Sequence, residues 1–390
     1  MRICLISVEI FAWGKYGGFG RATRTIGREL VRRGHEVSAI VPRRPGQKPV
    51  EHLDGITVFG FSPLNPLSAI PRIRETDAEI YHSCEPSFTT WLAQQIFPGR
   101  KHMVTFRDPR NLRDWWMEFH LPSLSKLQVA HNFLFEHNFL TNRGIRRMDG
   151  VFTIANYLVP KVRRMYRLSF EPSFLPTPVA VPIRVEKAAR PTVCYVARLD
   201  RRKRPRLFLD LAARFPEVQF VAMGQSRDRS WDQELRREYR DVPNLELTGF
   251  VDQFDGDQHS RILEQSWIMV NTATREALPN AFLEAAAHKC AILSFVDPDG
   301  FASNFGHHAR DGDLAGGLRT LLAGDRWRAR GERGYAHMRD VFEMNRAMDR
   351  HVAIYERLRR AERGVPFACD AAGADVPADQ ALSEAVRRRS

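Results

Sequence analysis

The stretch Thr192-Val193-Cys194-Tyr195-Val196-Ala197-Arg198-Leu199-Asp200-Arg201-Arg202-Lys203 joins a short apolar run to a loop dense in cations. A run of this length, rich in β-branched and aromatic residues and closed by polar ones, reads as a buried strand. A helix is predicted directly after it, over residues 204–214. The unit then repeats. Strands are predicted over 218–223, 245–248, 267–271 and 291–295, with helices over 231–239, 260–265, 280–288, 314–322, 325–342 and 345–360. Strands separated by helices require a parallel sheet covered on both faces.

Toward the N-terminus the same rhythm has already run once. Strands are predicted over 3–8, 36–41, 56–61, 80–82, 102–106 and 151–154, and helices over 21–33, closed by Gly34, and over 87–95. Between the two alternations, residues 175–191 carry four prolines and little periodicity, the mark of a crossing between domains. The predicted fold class is therefore α/β, with two doubly wound Rossmann-like domains facing across a cleft. The boundaries fall at 1–180 and 181–345. Residues 346–362 form a C-terminal helix expected to pack back on the first domain. Residues 363–390, rich in Ala, Asp and Pro, are expected to be disordered. Residues 107–147 break the alternation with aromatics and cations, among them Arg110, Arg113, Trp115, Trp116, Phe119 and Phe139. They read either as core or as a surface facing membrane or acceptor, and the core reading carries more weight.

At 390 residues the chain has room for two cores. No run of about 18 apolar residues marks a membrane span. Met1-Arg2-Ile3-Cys4-Leu5-Ile6-Ser7-Val8-Glu9 reads as a first strand and not as a signal peptide. Cys4, Cys84, Cys194, Cys290 and Cys369 are scattered, with neither metal-ligand spacing nor a disulfide framework. A cytoplasmic location follows, with peripheral contact at an anionic membrane face as a further expectation. Of the net charge of +13, residues 1–183 carry +10 (25 basic, 15 acidic) and residues 184–390 carry +3 (34 and 31). Only 8 of the 59 basic residues are lysine, so composition bias explains arginine over lysine but not the asymmetry. An excess of this kind favours an anionic partner.

Four loops carry candidate chemistry. Glu276-Ala277-Leu278-Pro279-Asn280-Ala281-Phe282-Leu283-Glu284 places two carboxylates eight positions apart across a helix start. Pro279 suits the first helical position, and the free amides there favour phosphate. Carboxylates that grip sugar hydroxyls beside amides that grip phosphate suggest a nucleotide-sugar site. Arg198 through Lys203 sets fixed cations at a strand end, where they can clamp a diphosphate. Gly17-Gly18-Phe19-Gly20-Arg21 lets backbone approach a ligand, without the three-glycine spacing of a dinucleotide site. Arg107 and Asp108, and His82 on another strand, face the cleft from the first half as acceptor-binding candidates. Each loop alone also fits an ordinary surface turn, and a lone histidine is more often structural.

Taken together these residues resemble the retaining glycosyltransferases of family 4, with the two-domain GT-B fold, over most of residues 1–360. Glu276 through Glu284 is similar to the family's E-x7-E motif, Arg198 and Lys203 to its arginine–lysine pair, and Gly17 to Gly20 to its first glycine loop. Phe250-Val251 resembles its base-side loop, shifted by one residue. The resemblance implies that Arg198 and Lys203 hold the donor diphosphate, Glu276 the sugar hydroxyls and Glu284 the ribose. Leu278, Pro279, Asn280, Phe250 and Val251 would complete the donor site. It further implies transfer with retention, a nucleoside-diphosphate sugar as donor, and no metal or other cofactor. Arg107 stands where the family often has histidine, Ala273 where serine is common, and Ala197 and Ala277 where glycine is common. An anionic or membrane-associated acceptor is expected, and nucleic acid is not. A nucleotide-sugar epimerase on the same fold and a non-catalytic basic binding protein are the alternative readings.

Overall fold

The computed structural model describes residues 1–14, 17–120 and 125–361; the predicted tail over 363–390 lies outside them. The chain divides into two compact units. One comprises residues 1–115 and 127–178 together with the chain from 347 onward; the other comprises 116–126 and 179–346.

The first unit is built on eight strands: β1 (Arg2–Ile6), β2 (Glu36–Pro42), β3 (Val50–Leu53), β4 (Ile56–Phe61), β5 (Ile80–Ser83), β6 (Lys101–Phe106), β7 (Gly150–Thr153) and β8 (Ser173–Phe174). Their order is β3-β4-β2-β1-β5-β6-β7-β8. All pairs are parallel except β3 with β4, where Val50 faces Phe59 and Leu53 faces Ile56. The order reverses direction at β1, which lies between β2 and β5. The helices are α1 (Gly18–Arg32), α2 (Ala69–Thr76), α3 (Phe88–Ile96), α4 (Leu112–His120), which passes into the second unit at Trp116, α5 (Lys126–Glu136), α6 (Phe139–Ile145) and α7 (Val159–Tyr166). On one side Ile6, Ile40, Tyr81 and Leu92 share a core; nearer β7, Val104, Phe106, Val151 and Tyr166 form another.

The second unit carries β9 (Thr192–Val196), β10 (Gln219–Met223), β11 (Leu245–Gly249), β12 (Ile268–Asn271), β13 (Ala291–Ser294) and β14 (Gly306–His308). The sheet is fully parallel in the order β11-β10-β9-β12-β13-β14. Its helices are α8 (Pro205–Arg214), α9 (Arg229–Glu238), α10 (Gln258–Gln265), α11 (Asn280–Ala287), α12 (Phe301–Phe305), α13 (Leu314–Leu322) and α14 (Arg326–His337). Val193, Tyr195, Phe208, Phe220, Ile268 and Trp327 lie in one continuous core.

The last helix, α15 (Met344–Arg360), returns to the first unit from Ala347 onward. Two buried histidines fasten it there. His82 Nδ1 meets the Tyr355 hydroxyl at 2.7 Å, and His351 Nε2 donates to the Pro176 carbonyl at 3.0 Å.

Candidate active site

In a doubly wound sheet, ligands bind beyond the carboxyl ends of the strands. In the second unit those ends are laced together by specific bonds. After β9, the Ala197 N–H donates to Met223 O and the Leu199 N–H to Gln225 O. After β10, Gly224 has φ +145°, and a Cβ there would lie 2.0 Å from Ala197 O. The Gly224 N–H in turn donates to Gly249 O at the end of β11, at 2.8 Å. Gly224 is thus obligatory for three loops to meet, a role that its lone appearance in sequence does not reveal.

Arg198 and Lys203 stand in the loop after β9. Asp200 is buried between them and pairs with Arg198 Nη1 at 3.0 Å. The same carboxylate accepts from Ser226 Oγ at 3.2 Å and from the Arg227 N–H at 3.3 Å, so it fixes both the loop and the guanidinium. Lys203 forms an ion pair with Glu276, each side chain mostly shielded from solvent. The structure therefore brings the two sequence motifs into direct contact. Thr272, at the end of β12, reinforces this: its hydroxyl lies 2.5 Å from Lys203 O and 3.0 Å from Arg204 O. Arg204 supplies the turn with φ +49° and donates from Nε to Thr272 O at 2.7 Å. Thr272 and Arg204 are site-building residues that the motifs did not single out.

α11 begins at Asn280, as expected, but Pro279 stands just before the first helical position and not in it. Pro279 is the N-cap, with φ −66° and ψ 134°. The correction is small and has a plain cause: the ring fixes φ but leaves ψ extended, which an N-cap residue requires. Glu284 sits in the second turn, with Oε2 3.4 Å from Nε2 of the buried His259 on α10. His259 is another neighbour that sequence reasoning missed. Leu278 is buried, whereas Phe250, just past β11, is exposed and Val251 half-buried.

In the first unit the glycine turn follows β1 and opens α1. Glu9 dominates it. Its carboxylate Oε1 accepts the Gly20 N–H at 3.0 Å, favourably placed at a helix N-terminus. A Cβ on Gly17 would fall 2.0 Å from that oxygen, and one on Gly20 would fall 2.8 Å from the Phe11 nitrogen. Gly17 and Gly20 therefore admit an internal carboxylate to the helix end, while Gly18 is exposed.

Arg107 and Asp108 follow β6. A second buried acid, Glu85, pins both: its Oε1 accepts the Arg107 N–H at 2.7 Å and the Asp108 N–H at 2.6 Å. Burial, with Asp108 adding to it, pushes the Glu85 carboxyl up to about 8. Arg107 itself is buried, its Nη1 donating to Thr177 Oγ1 at 3.1 Å, and burial lowers its affinity for a proton. His82 is a core residue with no exposed surface. Its second ring nitrogen meets Thr105 Oγ1 at 2.8 Å, so both nitrogens are engaged and none remains for an acceptor. Burial pulls its affinity for a proton well down. Among the described residues, no group of three or more His, Cys, Asp or Glu side chains is arranged to hold a metal ion.

Solved structures similar to this one span nearly all of it. Sucrose-phosphate synthase from Thermosynechococcus elongatus superposes with a TM-score of 0.70 at 16% identity, covering 92% of this chain and 99% of that one. A glycosyltransferase from Rickettsia africae gives 0.64 at 14%, covering 92% and 99%. HepE from Anabaena, in complex with UDP and glucose, gives 0.64 at 14%, covering 91% and 99%. No curated protein matches by sequence. With its two Rossmann-like sheets, the molecule has the GT-B fold of sugar-transferring enzymes. Residues 17–172 match the glycosyl transferase 4-like domain and residues 190–316 match glycosyl transferases group 1, together well over half of the chain. The chain belongs to this group 1, family 4 glycosyltransferase family.

Proposed function

We propose that this glycosyltransferase takes its sugar from a nucleoside diphosphate, transfers it with retained configuration and needs no metal. The Lys203–Glu276 pair carries the reading. Lys203 is held beside the carboxylate that would face the donor sugar, with Arg198 fixed by Asp200 in the same loop. In the reaction the anomeric carbon parts from the diphosphate oxygen, which keeps the bonding electrons. The acceptor oxygen bonds to that carbon from the same face, and its proton passes to the departing phosphate. Arg198 and Lys203 at the end of β9, with the positive end of the α11 helix dipole, would neutralise the charge that grows on the leaving diphosphate. Glu276 would orient sugar hydroxyls, Glu284 the ribose, and Phe250 with Val251 would border the base. The glycine turn that opens α1 would line the donor or the acceptor. The acceptor is taken to be anionic because of the first half's charge of +10 (25 basic against 15 acidic residues), with Asp108 as its hydroxyl-orienting residue.

The supporting experiment is a thermal-shift screen of nucleoside diphosphates and their sugars in the presence of a chelator. Ligands that bind the native state raise its melting temperature. One nucleotide should do so with wild type, and the shift should vanish in Arg198→Ala and Lys203→Ala. Equal shifts in all three proteins would remove the diphosphate clamp, and a shift that requires added divalent metal would remove metal independence. Proton NMR of the product anomer reads out retention.

A further inference from the structure

Beside the edge strand β8 the first unit carries an open groove of about 710 Å³, and every residue lining it falls between 156 and 174. Ligand pockets run from roughly 300 to 1,000 Å³, so the space suits a small molecule. One wall is α7. Its apolar side, Val162 and Tyr166, is buried in the core with Val104 and Val151. That leaves Arg163, Arg164 and Arg167 exposed, and all three line the groove. The rest of the lining is largely apolar: Leu168 and Pro172 are buried and Phe174 is half-buried.

The cations here are not balanced by acids. Lys161, on the same helix, is taken by Asp114 at 2.7 Å, and Arg163 Nη1 by Glu171 Oε1 at 3.0 Å. Glu171 is the one acid among the groove's lining residues. Among the described residues, the side chains of Arg164 and Arg167 make no hydrogen bond or ion pair. Arg350 of α15 adds a further positive charge on the β8 side, its guanidinium carbon 5.5 Å from the centroid of the Phe174 ring. A helix C-terminus favours cations in general, but glycine is the usual residue where the chain turns left-handed after it. Here that position is held by Arg167, with φ +50°.

We propose that Arg164 and Arg167 bind the phosphate of a phosphate ester in this groove. Glu171 already satisfies one guanidinium, so a ligand meets two more. A carboxylate, with one charge and two oxygens, answers a single guanidinium fork. A phosphate monoester, with roughly two negative charges and three acceptor oxygens, answers both. Leu168, Pro172 and Phe174 would receive the carbon skeleton that the phosphate esterifies. A soluble sugar or glycerol phosphate and a phospholipid headgroup share this chemistry. Arg198, Lys203, Glu276 and Glu284 take no part in the site.

Titration calorimetry of the full chain with glycerol 1-phosphate, at fixed ionic strength, tests the assignment. Wild type should bind it about tenfold or more tighter than glycerate, as expected for charge-assisted bonds to two guanidinium groups instead of one. Arg164→Gln combined with Arg167→Gln should lose about tenfold or more of that affinity. The melting temperature should not change, since both side chains are exposed and unpaired. Glu171→Gln should act in the opposite direction: releasing Arg163 and removing the acid should tighten binding by about threefold. Lys203→Ala should bind glycerol 1-phosphate as wild type does. Sedimentation with vesicles of phosphatidic acid identifies the source. Vesicle binding that the double arginine variant loses assigns the ester to lipid; glycerol 1-phosphate binding without vesicle binding assigns it to a soluble molecule. Saturable binding of neither probe by wild type overturns the proposal, as does glycerate binding as tightly as glycerol 1-phosphate. So does affinity that survives in the double arginine variant, or that is lost in Lys203→Ala instead, which would place the phosphate in the donor site.

Discussion

At the residue scale, two buried acids that no motif names organise the strand ends of the first unit. Glu9 fills the N-terminus of α1 and Glu85 pins the turn after β6. The glycines legible in sequence are explained by this packing as much as by any ligand. Gly20→Ala would drive a Cβ into the Phe11 backbone and should cost ~1–3 kcal/mol, read from urea denaturation. Glu85 makes a separate prediction. Its carboxyl ionises near 4.5 when the chain is unfolded and near 8 when folded. Between those values the folded protein holds a proton that the unfolded chain has released, so this group's contribution to stability falls as pH rises. His351 acts in the other direction: burial pulls its imidazole from 6.5 down to about 4, so its contribution rises with pH over that lower window. The two oppose each other below 6.5, and above it Glu85 acts without that opposition. Between pH 6.5 and pH 8 the urea midpoint of wild type should fall more steeply than that of Glu85→Gln; parallel slopes would show that Glu85 is ionised throughout. Arg198, Lys203, Glu276 and Glu284 could be found in sequence because their spacing is fixed by single loops. Glu9, Glu85, Asp200, His259 and Thr272 could not, because each acts on a partner brought near only by folding.

At the element scale, the central strands match their expected positions to within a residue or two, since each is a short apolar run buried on both faces. β3, β8 and β14 were missed. β3 is an edge strand with half its residues exposed, and the other two are only two and three residues long, so none carries a distinct apolar run. α4 to α6 were also missed as helices. Their aromatics do not form one inward stripe: Trp115 packs edge-on against Phe133, with centroids 5.5 Å apart, whereas Trp116, Phe119 and Phe139 face outward. The expectation that this segment's aromatics fill the core therefore holds for Trp115 and fails for those three. The fastening of α15 yields a prediction of its own. Tyr355→Phe removes the hydroxyl that meets His82 and leaves a buried ring nitrogen unpaired, at a cost of ~1–3 kcal/mol. Faster amide exchange along α15, with β9 to β13 unchanged, would identify the loss as local to that helix. Uniform acceleration across both units would not.

At the scale of the whole molecule, alternation of strands and helices was enough to foresee two parallel sheets, because no other arrangement covers both faces of such strands. The place of residues 116–126 in the second unit was not legible, since the Glu118–Arg202 pair joins positions 84 apart in the chain. The charge asymmetry, by contrast, has a structural counterpart: the outward cations of residues 112–147 have no exposed acid among them. What unites fold and site is the meeting of the loops after β9 and β12, where Lys203 and Glu276 pair. The most direct test of that centre is the rate of nucleoside-diphosphate release from the donor sugar identified by thermal shift, in wild type and in Lys203→Ala at matched folded fraction. A fall of about 100-fold or more is expected for a lost transition-state cation, and an unchanged rate in a folded variant would contradict the account.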